Sequence, residues 1–341
     1  FRGDGTNYLS VRGDEYKRLT PVYDWMKIPG ATIVQLDKMP GENEIQKWGL
    51  TDYVGAVTDG TYGAVGLDFK SPHTGLAAKK VWFFFDKTYV CLGTDISSRM
   101  KNQVLTTVNQ CLLNGQVTVS DADGIHPQER GSRMKKGVRW VVHDRVGYYF
   151  LNKENVILSN QRTEGSWKIA NRQTTTPTDI IQQDVFTLSV DHGSYPNNEG
   201  YAYMVVPSAD PLSIEKQVEE EGVVVLANCP DVQAVRHDGL NMAYAVFYKG
   251  GTLRIHDKIV VEMDAPGMLM VKYNDAGEIL TLGVSDPTRF MKKLHLSVNQ
   301  RIVGTAQENI QTEWDGKQAL TRITVELPQN EYAGKSVIYN K

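Results

Sequence analysis

The chain has 341 residues, 41% hydrophobic and 23% charged, enough apolar content to bury one large core or two ordinary ones. Its 40 acidic and 37 basic residues leave a formal charge of -3, so no global positive field speaks for nucleic acid, while an anionic sugar polymer held by a local groove stays open. Cys91, Cys111 and Cys229 lie far apart, lack metal-type spacing and cannot all pair, which excludes a disulfide-built scaffold and reads as buried small hydrophobes.

The chain opens on Phe1-Arg2-Gly3-Asp4-Gly5, a turn running into a strand. Gly13-Asp14-Glu15-Tyr16 follows, then Thr20-Pro21-Val22-Tyr23-Asp24-Trp25 and Lys27-Ile28-Pro29-Gly30, so one carboxylate stands beside an aromatic wall and two prolines. In a strand Glu15 points opposite to Asp14 and Tyr16. Its carboxylate can receive turn hydrogen bonds, pair with Arg12 or Lys17, or face a cleft and orient an arginine or a tyrosine hydroxyl. Tyr23, Trp25, Trp48, Tyr53 and Tyr62 offer flat faces for sugar rings or for packing.

His73 stands in the loop Ser71-Pro72-His73-Thr74-Gly75, before the strand Lys80 to Phe85. Runs such as Val81-Trp82-Phe83-Phe84-Phe85 are strand-sized, too short to cross a bilayer. Val104 to Leu113, then Asn114-Gly115, then Gln116 to Val119 predict a hairpin, because Asn and Gly tolerate the positive φ of a two-residue turn. Asp121-Ala122-Asp123-Gly124 lacks the later oxygen ligands and terminal glutamate of a calcium loop. Val138 to Val142 and Val146 to Phe150 predict a second hairpin, and Gly267 to Tyr273 with Ile279 to Leu282 a third. His192, in Asp191-His192-Gly193, reads as a turn histidine. One helix is predicted over Pro211 to Glu221, stopped by Gly222, with its glutamates on a solvated face. A boundary is expected near Asn228-Cys229-Pro230-Asp231. No Walker or dinucleotide fingerprint and no close-ligand histidine pattern occurs, which speaks against nucleotide chemistry, and no metal ligands are assigned.

The ordered set Asn7-Tyr8-Leu9, Gly13-Asp14-Glu15-Tyr16, Pro21-Val22-Tyr23-Asp24-Trp25, Lys27-Ile28-Pro29-Gly30, Ala78 to Asp86, Thr106 to Gln110, Gly165-Ser166-Trp167, Asp191-His192-Gly193 and Val232 to Asp238 resembles polysaccharide lyase family 8. Within it, Gly5 to Ser10 together with Tyr23 and Ala31 look most like the broad-specificity chondroitin sulfate ABC lyases of Bacteroides-type bacteria. The resemblance implies an all-β fold. A large antiparallel, galactose mutarotase-like super-sandwich is expected over residues 1-228, and a smaller antiparallel β-sandwich over 229-341. An α/α toroid is expected upstream as a partner domain, with this chain as the C-terminal half of the enzyme.

The implied activity is cleavage of chondroitin or dermatan sulfate, and of hyaluronan as a further candidate, by β-elimination at uronic acid. The implied catalytic tyrosine, histidine and arginine belong to the toroid. Glu15 matches the one central-domain carboxylate of that network, as support for an arginine or tyrosine. Trp25, His73, Lys79 and Trp82 are substrate-binding candidates, of which Trp25 and Trp82 also suit packing and Lys79 a solvated edge. No cofactor is specified, although a divalent cation such as calcium or magnesium is compatible with the family. The partner is an anionic glycosaminoglycan, with no nucleic acid and no membrane insertion, in a bacterial periplasmic or secreted setting. The alternative is a non-catalytic carbohydrate-binding or scaffold β-domain.

Overall fold

A computed structural model describes residues 3-46, 48-302 and 309-341. Strands dominate from end to end, as the short apolar, β-branched runs between Gly, Asn and Asp turns dictate. The one α-helix among the described residues is Ile214–Glu221, where the Asp210 carboxylate accepts the Leu212 N–H at 2.7 Å just ahead of the first turn. No helix among the described residues is long and apolar enough to cross a membrane.

The chain divides into two compact units. Unit 1 comprises Phe1–Leu50, Phe69–Ala78 and Ile96–Ile214. Its strands Thr32–Val34, Gln103–Leu112, Ile181–Ser194, Val146–Gly165 and Glu199–Pro207 lie side by side in that order, all antiparallel. Val146–Gly165 is 20 residues long and is the spine of this unit. Ser132–His143 pairs along one of its edges. The other edge is shared: Glu199–Pro207 pairs with residues 146-150 and Ile181–Ser194 with residues 156-165. The changeover coincides with register shifts on either side of Glu154. From Tyr149 to Glu154 the strand advances five residues against two on Ser132–His143, and such surplus residues bend a strand and let it serve two partners.

The predicted hairpin at His143/Val146 forms, with Asp144 and Arg145 both at positive φ. The one predicted at Asn114-Gly115 does not. Gly115 takes its positive φ, but Val117–Asp121 pairs with Gly124–Pro127 and Ser132–His143 rather than back onto Gln103–Leu112. One edge of Gln103–Leu112 is taken by Ile181–Ser194, and the other by Thr32–Val34 at residues 104-106 and by the Glu15 carbonyl at the Leu112 N–H, so the turn hands the chain onward.

Unit 2 comprises Thr51–Asp68, Lys79–Asp95 and Glu215–Lys341. It contains Val54–Thr58 and most of Gly63–Lys70, Ala77–Phe84 and Tyr89–Ser97. A six-stranded sheet runs Val223–Cys229, Val232–His237, Met242–Phe247, Gly267–Tyr273, Ile279–Ser285, Val337–Asn340. A five-stranded sheet runs Gly251–His256, Ile259–Met263, Lys293–Val298, Leu320–Glu326, Ile310–Asp315. Ala243, Ala245, Leu269, Val271 and Leu282 of the first pack with Val261, Leu294, Leu296, Ile323 and Val325 of the second in one buried cluster, a sandwich core of alternating inward positions. The third predicted hairpin forms here, Met268 opposite Ser285 through Tyr273 opposite Ile279. The architecture is therefore the expected one, a large antiparallel super-sandwich sheet with smaller antiparallel sandwich sheets after it.

Candidate functional site

The loop from Tyr8 to Tyr16 in unit 1 is organised by a single side chain. Glu15 is 6% exposed, and four donors converge on its carboxylate. Val11 N and Arg12 N reach Oε1 at 2.5 and 2.6 Å, while Ser10 Oγ and Gly13 N reach Oε2 at 2.6 and 2.9 Å. Gly13 makes this possible with φ +97°, a conformation a side chain would strain. Burial opposes ionisation of Glu15, but the hydrogen bonds from Ser10, Arg12 and Val11 outweigh it and lower the pKa from the ordinary 4.5 to about 2. Of the roles left open by the sequence, the turn-bonding one is occupied on both oxygens. The carboxylate acts as a fixed anion around which the backbone folds.

The loop is tied to the sheet at three points. The Glu15 carbonyl accepts the Leu112 N–H at 2.8 Å. The Tyr16 hydroxyl lies 3.1 Å from both the Leu9 carbonyl and Asn109 Oδ1, either of which can take its one proton, and Asn109 Nδ2 donates to the Tyr148 hydroxyl at 2.6 Å. Burial pushes the Tyr16 hydroxyl well above its usual pKa, so it stays protonated. Arg12 bridges Asp14 at 3.0 Å and Asp144 at 2.8 Å, and Asp144 in turn accepts from Asn114 Nδ2 at 2.7 Å.

Beneath the loop, Cys111 Sγ sits 3.8 Å from His143 Nδ1, and His143 Nε2 accepts the Asn114 N–H at 3.0 Å. Burial lowers the His143 pKa to about 4 and pushes the Cys111 thiol up. The pair is therefore a neutral imidazole beside a thiol, without the thiolate that nucleophilic chemistry needs. Cys91 and Cys111 are buried, as expected, and Cys229 is half-buried; none of the three is in a disulfide.

Aromatic rings continue from the loop. Tyr8 meets Tyr16 edge-on at 5.1 Å, its hydroxyl lies 3.3 Å from that of Tyr23, and Tyr23 meets Trp25 at 5.0 Å. Tyr8 is 53% exposed, whereas Tyr23 is buried and Trp25 half-buried against a core of Leu19, Ile28, Ala31 and Ile33. Gln110, itself buried, holds the turn beneath: its Oε1 accepts from Asp24 N at 2.9 Å and its Nε2 donates to the Asp24 and Lys27 carbonyls at 3.0 and 2.7 Å. Gly165 lets the segment Thr20–Val22 lie across the sheet, since a Cβ there would fall on the Pro21 carbonyl.

Glu15 and Trp25 are thus joined in one contiguous assembly. His73 belongs to the same unit but lines a separate cleft with Lys38, Met39 and Pro40. Lys79 and Trp82 belong to unit 2. Lys79 Nζ donates to the Pro230 carbonyl at 2.7 Å, lies 3.5 Å from an Asp95 oxygen and stands 4.9 Å over the Tyr248 ring. Trp82 is 6% exposed, with the buried Lys80 ammonium 5.3 Å from its ring. Among the described residues no three His, Cys, Asp or Glu side chains converge to hold a metal ion. Sequence reasoning gave no role to Asn109, Gln110, Tyr148 or Asp144. The available signal was the Asn109-Gln110 pair between Val108 and Cys111 of a strand, where buried amides need partners.

Residues 1–218 match the super-sandwich domain of polysaccharide lyase family 8, and residues 224–295 its C-terminal beta-sandwich domain. Chondroitinase-AC of Pedobacter heparinus is 35% identical over 342 aligned positions, covering 99% of this chain and 45% of that protein. Xanthan lyase of a Bacillus species is 27% identical, covering 85% of this chain and 32% of the relative. A solved chondroitinase AC lyase, described in oligosaccharide complexes, superposes with a TM-score of 0.84 at 34% identity, over 98% of this chain and 47% of that one. The chain spans less than half the length of these relatives.

The expected likeness to Bacteroides-type ABC lyases is overturned. The chondroitin sulfate ABC exolyase of Bacteroides thetaiotaomicron is only 23% identical over 282 positions, against 35% for the chondroitinase-AC. Two of the residues that suggested it, Tyr23 and Ala31, are core residues at 7% and 0% exposure, where variation follows packing. The chain belongs to polysaccharide lyase family 8.

Proposed function

From membership of polysaccharide lyase family 8 we propose that this chain is the β-sheet portion of a lyase that cleaves a chondroitin-type glycosaminoglycan by β-elimination at uronic acid. Within that enzyme its own part is to bind carbohydrate and to scaffold the reaction rather than to perform proton transfer. The single observation that carries this division is Glu15. In the family-matched region its carboxylate is spent on four loop donors, so it fixes a surface instead of attacking sugar.

β-Elimination removes the proton at C5 of the uronate, next to a carboxylate whose charge resists carbanion formation, and expels the C4 oxygen to leave an unsaturated uronate. It needs a base at the proton and a neutralising contact on the carboxylate. In this chain His143 is buried and Tyr16 is held protonated by burial, so neither suits the base. A helical toroid upstream is the proposed source of both functions. Glu15 is a positioning residue here: it fixes the backbone that carries Arg12, and Asp14 and Asp144 aim that guanidinium. Hydrolysis by a carboxylate pair is a different design, needing two acids across one bond. A bacterial periplasmic or secreted location goes with this reading, because the polymer is extracellular.

The test follows the ultraviolet absorbance of unsaturated uronate while chondroitin is mixed with the 341-residue chain, and separately with a longer protein carrying the upstream region. Product from the longer protein alone supports the reading. Product from the 341-residue chain overturns the division of labour, and silence from both overturns the lyase.

A further inference from the structure

The cleft at His73 is an open one, built from two short segments of unit 1, residues 36-46 and the turn at Pro72-His73, with a volume of about 500 Å³. That volume suits one or two sugar rings. Both walls are stiffened locally. The Ser71 Oγ lies 3.3 Å from the His73 and Thr74 amides, and Ser71 N donates to the Leu76 carbonyl at 2.7 Å. On the other wall, the Glu44 carboxylate accepts the Gly41 N–H at 2.5 Å, and Pro40 and Pro72 restrict the backbone on each side.

The side chains within fall into two kinds. Met39, Pro40 and Pro72 give apolar surface suited to the C–H face of a pyranose, while Lys38, Gln46 and His73 give donors. Among the described residues of the lining Glu44 is the one carboxylate, and one of its oxygens accepts the Gly41 amide. Lys38, exposed, supplies a cation to the same lining. Trp48, 83% exposed, follows Gln46 by two residues and adds an open indole face close by in the chain.

We propose that this cleft is a binding subsite for an acidic sugar, the uronate-containing unit of a glycosaminoglycan, with Lys38 and His73 on its carboxylate or sulfate and the two prolines and Met39 under its ring. It is a different place from the Glu15 loop, and it rests on the lyase reading only for the class of polymer.

Isothermal titration of the 341-residue chain with a saturated chondroitin tetrasaccharide tests it, with a glucan tetrasaccharide as the uncharged control. Binding of the acidic sugar alone is expected, weakened at least tenfold by Lys38→Ala or His73→Ala and further by Lys38→Glu, with unchanged circular dichroism. Amide shift changes should fall on residues 36-46 and 71-74. Equal affinity in the variants, equal binding of the glucan, shifts elsewhere, or no heat at millimolar sugar would each overturn the subsite. Since no bond cleavage is read, this result is separate from the lyase test. A longer protein can release unsaturated product while the subsite fails, and the subsite can hold while no product forms.

Discussion

Replacing Glu15 with Gln keeps the shape of the side chain and changes what its atoms can do. Four donors face the carboxylate, two on each oxygen. An amide puts an NH2 where one oxygen stood. Placed at the Oε1 position it would confront the Val11 and Arg12 N–H groups, neither of which can accept. Placed at Oε2 it meets Ser10 Oγ, which can rotate to accept, and only the Gly13 N–H loses its partner. The second arrangement is the cheaper one. Hydrogen bonds to a charged group contribute roughly 1.5–3 kcal/mol and a stranded donor costs about 1–3 kcal/mol, so a loss of about 2–3 kcal/mol is expected.

The pH dependence carries the sign. The folded pKa, about 2, is depressed below the ordinary 4.5, so the stabilisation is present above 4.5 and is lost as pH falls through about 2. Urea unfolding of the 341-residue chain at pH 7 and pH 3 should show the wild type losing stability on acidification by more than Glu15→Gln does. Hydrogen exchange at Val11, Arg12 and Gly13 should quicken in the variant. Identical midpoints at pH 7, with the same acid loss in both proteins, would refute the account of the loop as built on this anion.

Glu154, raised by burial to about 7, has the opposite sign: its contribution is fully present below 4.5 and is lost as pH rises through about 7, so Glu154→Gln should raise the urea midpoint more at pH 8 than at pH 5. Gly165→Ala should cost about 2–3 kcal/mol in urea unfolding, because its Cβ meets the Pro21 carbonyl and the sheet or the loop has to shift. Asn109→Ala removes the bonds to Tyr16 and Tyr148, and a loss of about 2 kcal/mol with faster exchange at Leu112 N–H is expected. In a thiol-labelling time course without denaturant, Cys229 should react first, while Cys91 and Cys111 wait for unfolding.

What the sequence made legible was local. Strand runs, the turns at Asp144-Arg145 and Asn274 to Gly277, and the single helix follow from φ preference and side-chain alternation within a few residues, and each forms. The Asn114-Gly115 turn shows the limit. Its backbone signal is sound, but which strand comes next in the sheet depends on what flanks Gln103–Leu112, Ile181–Ser194 on one edge and Thr32–Val34 with the Glu15 carbonyl on the other, all distant in sequence. The site follows the same division. The partners of Glu15 lie within five residues and were within reach of the sequence, whereas its anchors at Asn109, Tyr148 and Asp144 come from strands and turns some 90 to 130 residues away. Cys111 and His143, 32 residues apart, likewise meet only through the pairing of the sheet.

The partner changeover in Val146–Gly165 also sets an order of assembly. Of its three neighbours, only Ser132–His143 has been synthesised when the strand is completed. Its other edge stays unpaired until residues 181-194 are made, and its first quarter until residues 199-207 follow. For about 40 residues of synthesis a nascent chain would thus expose a long half-paired edge, the kind of template that invites association with another copy. The exposed, charged Lys153 and Arg162 along that strand oppose such stacking, so they guard the chain during its birth as much as they solvate the finished sheet.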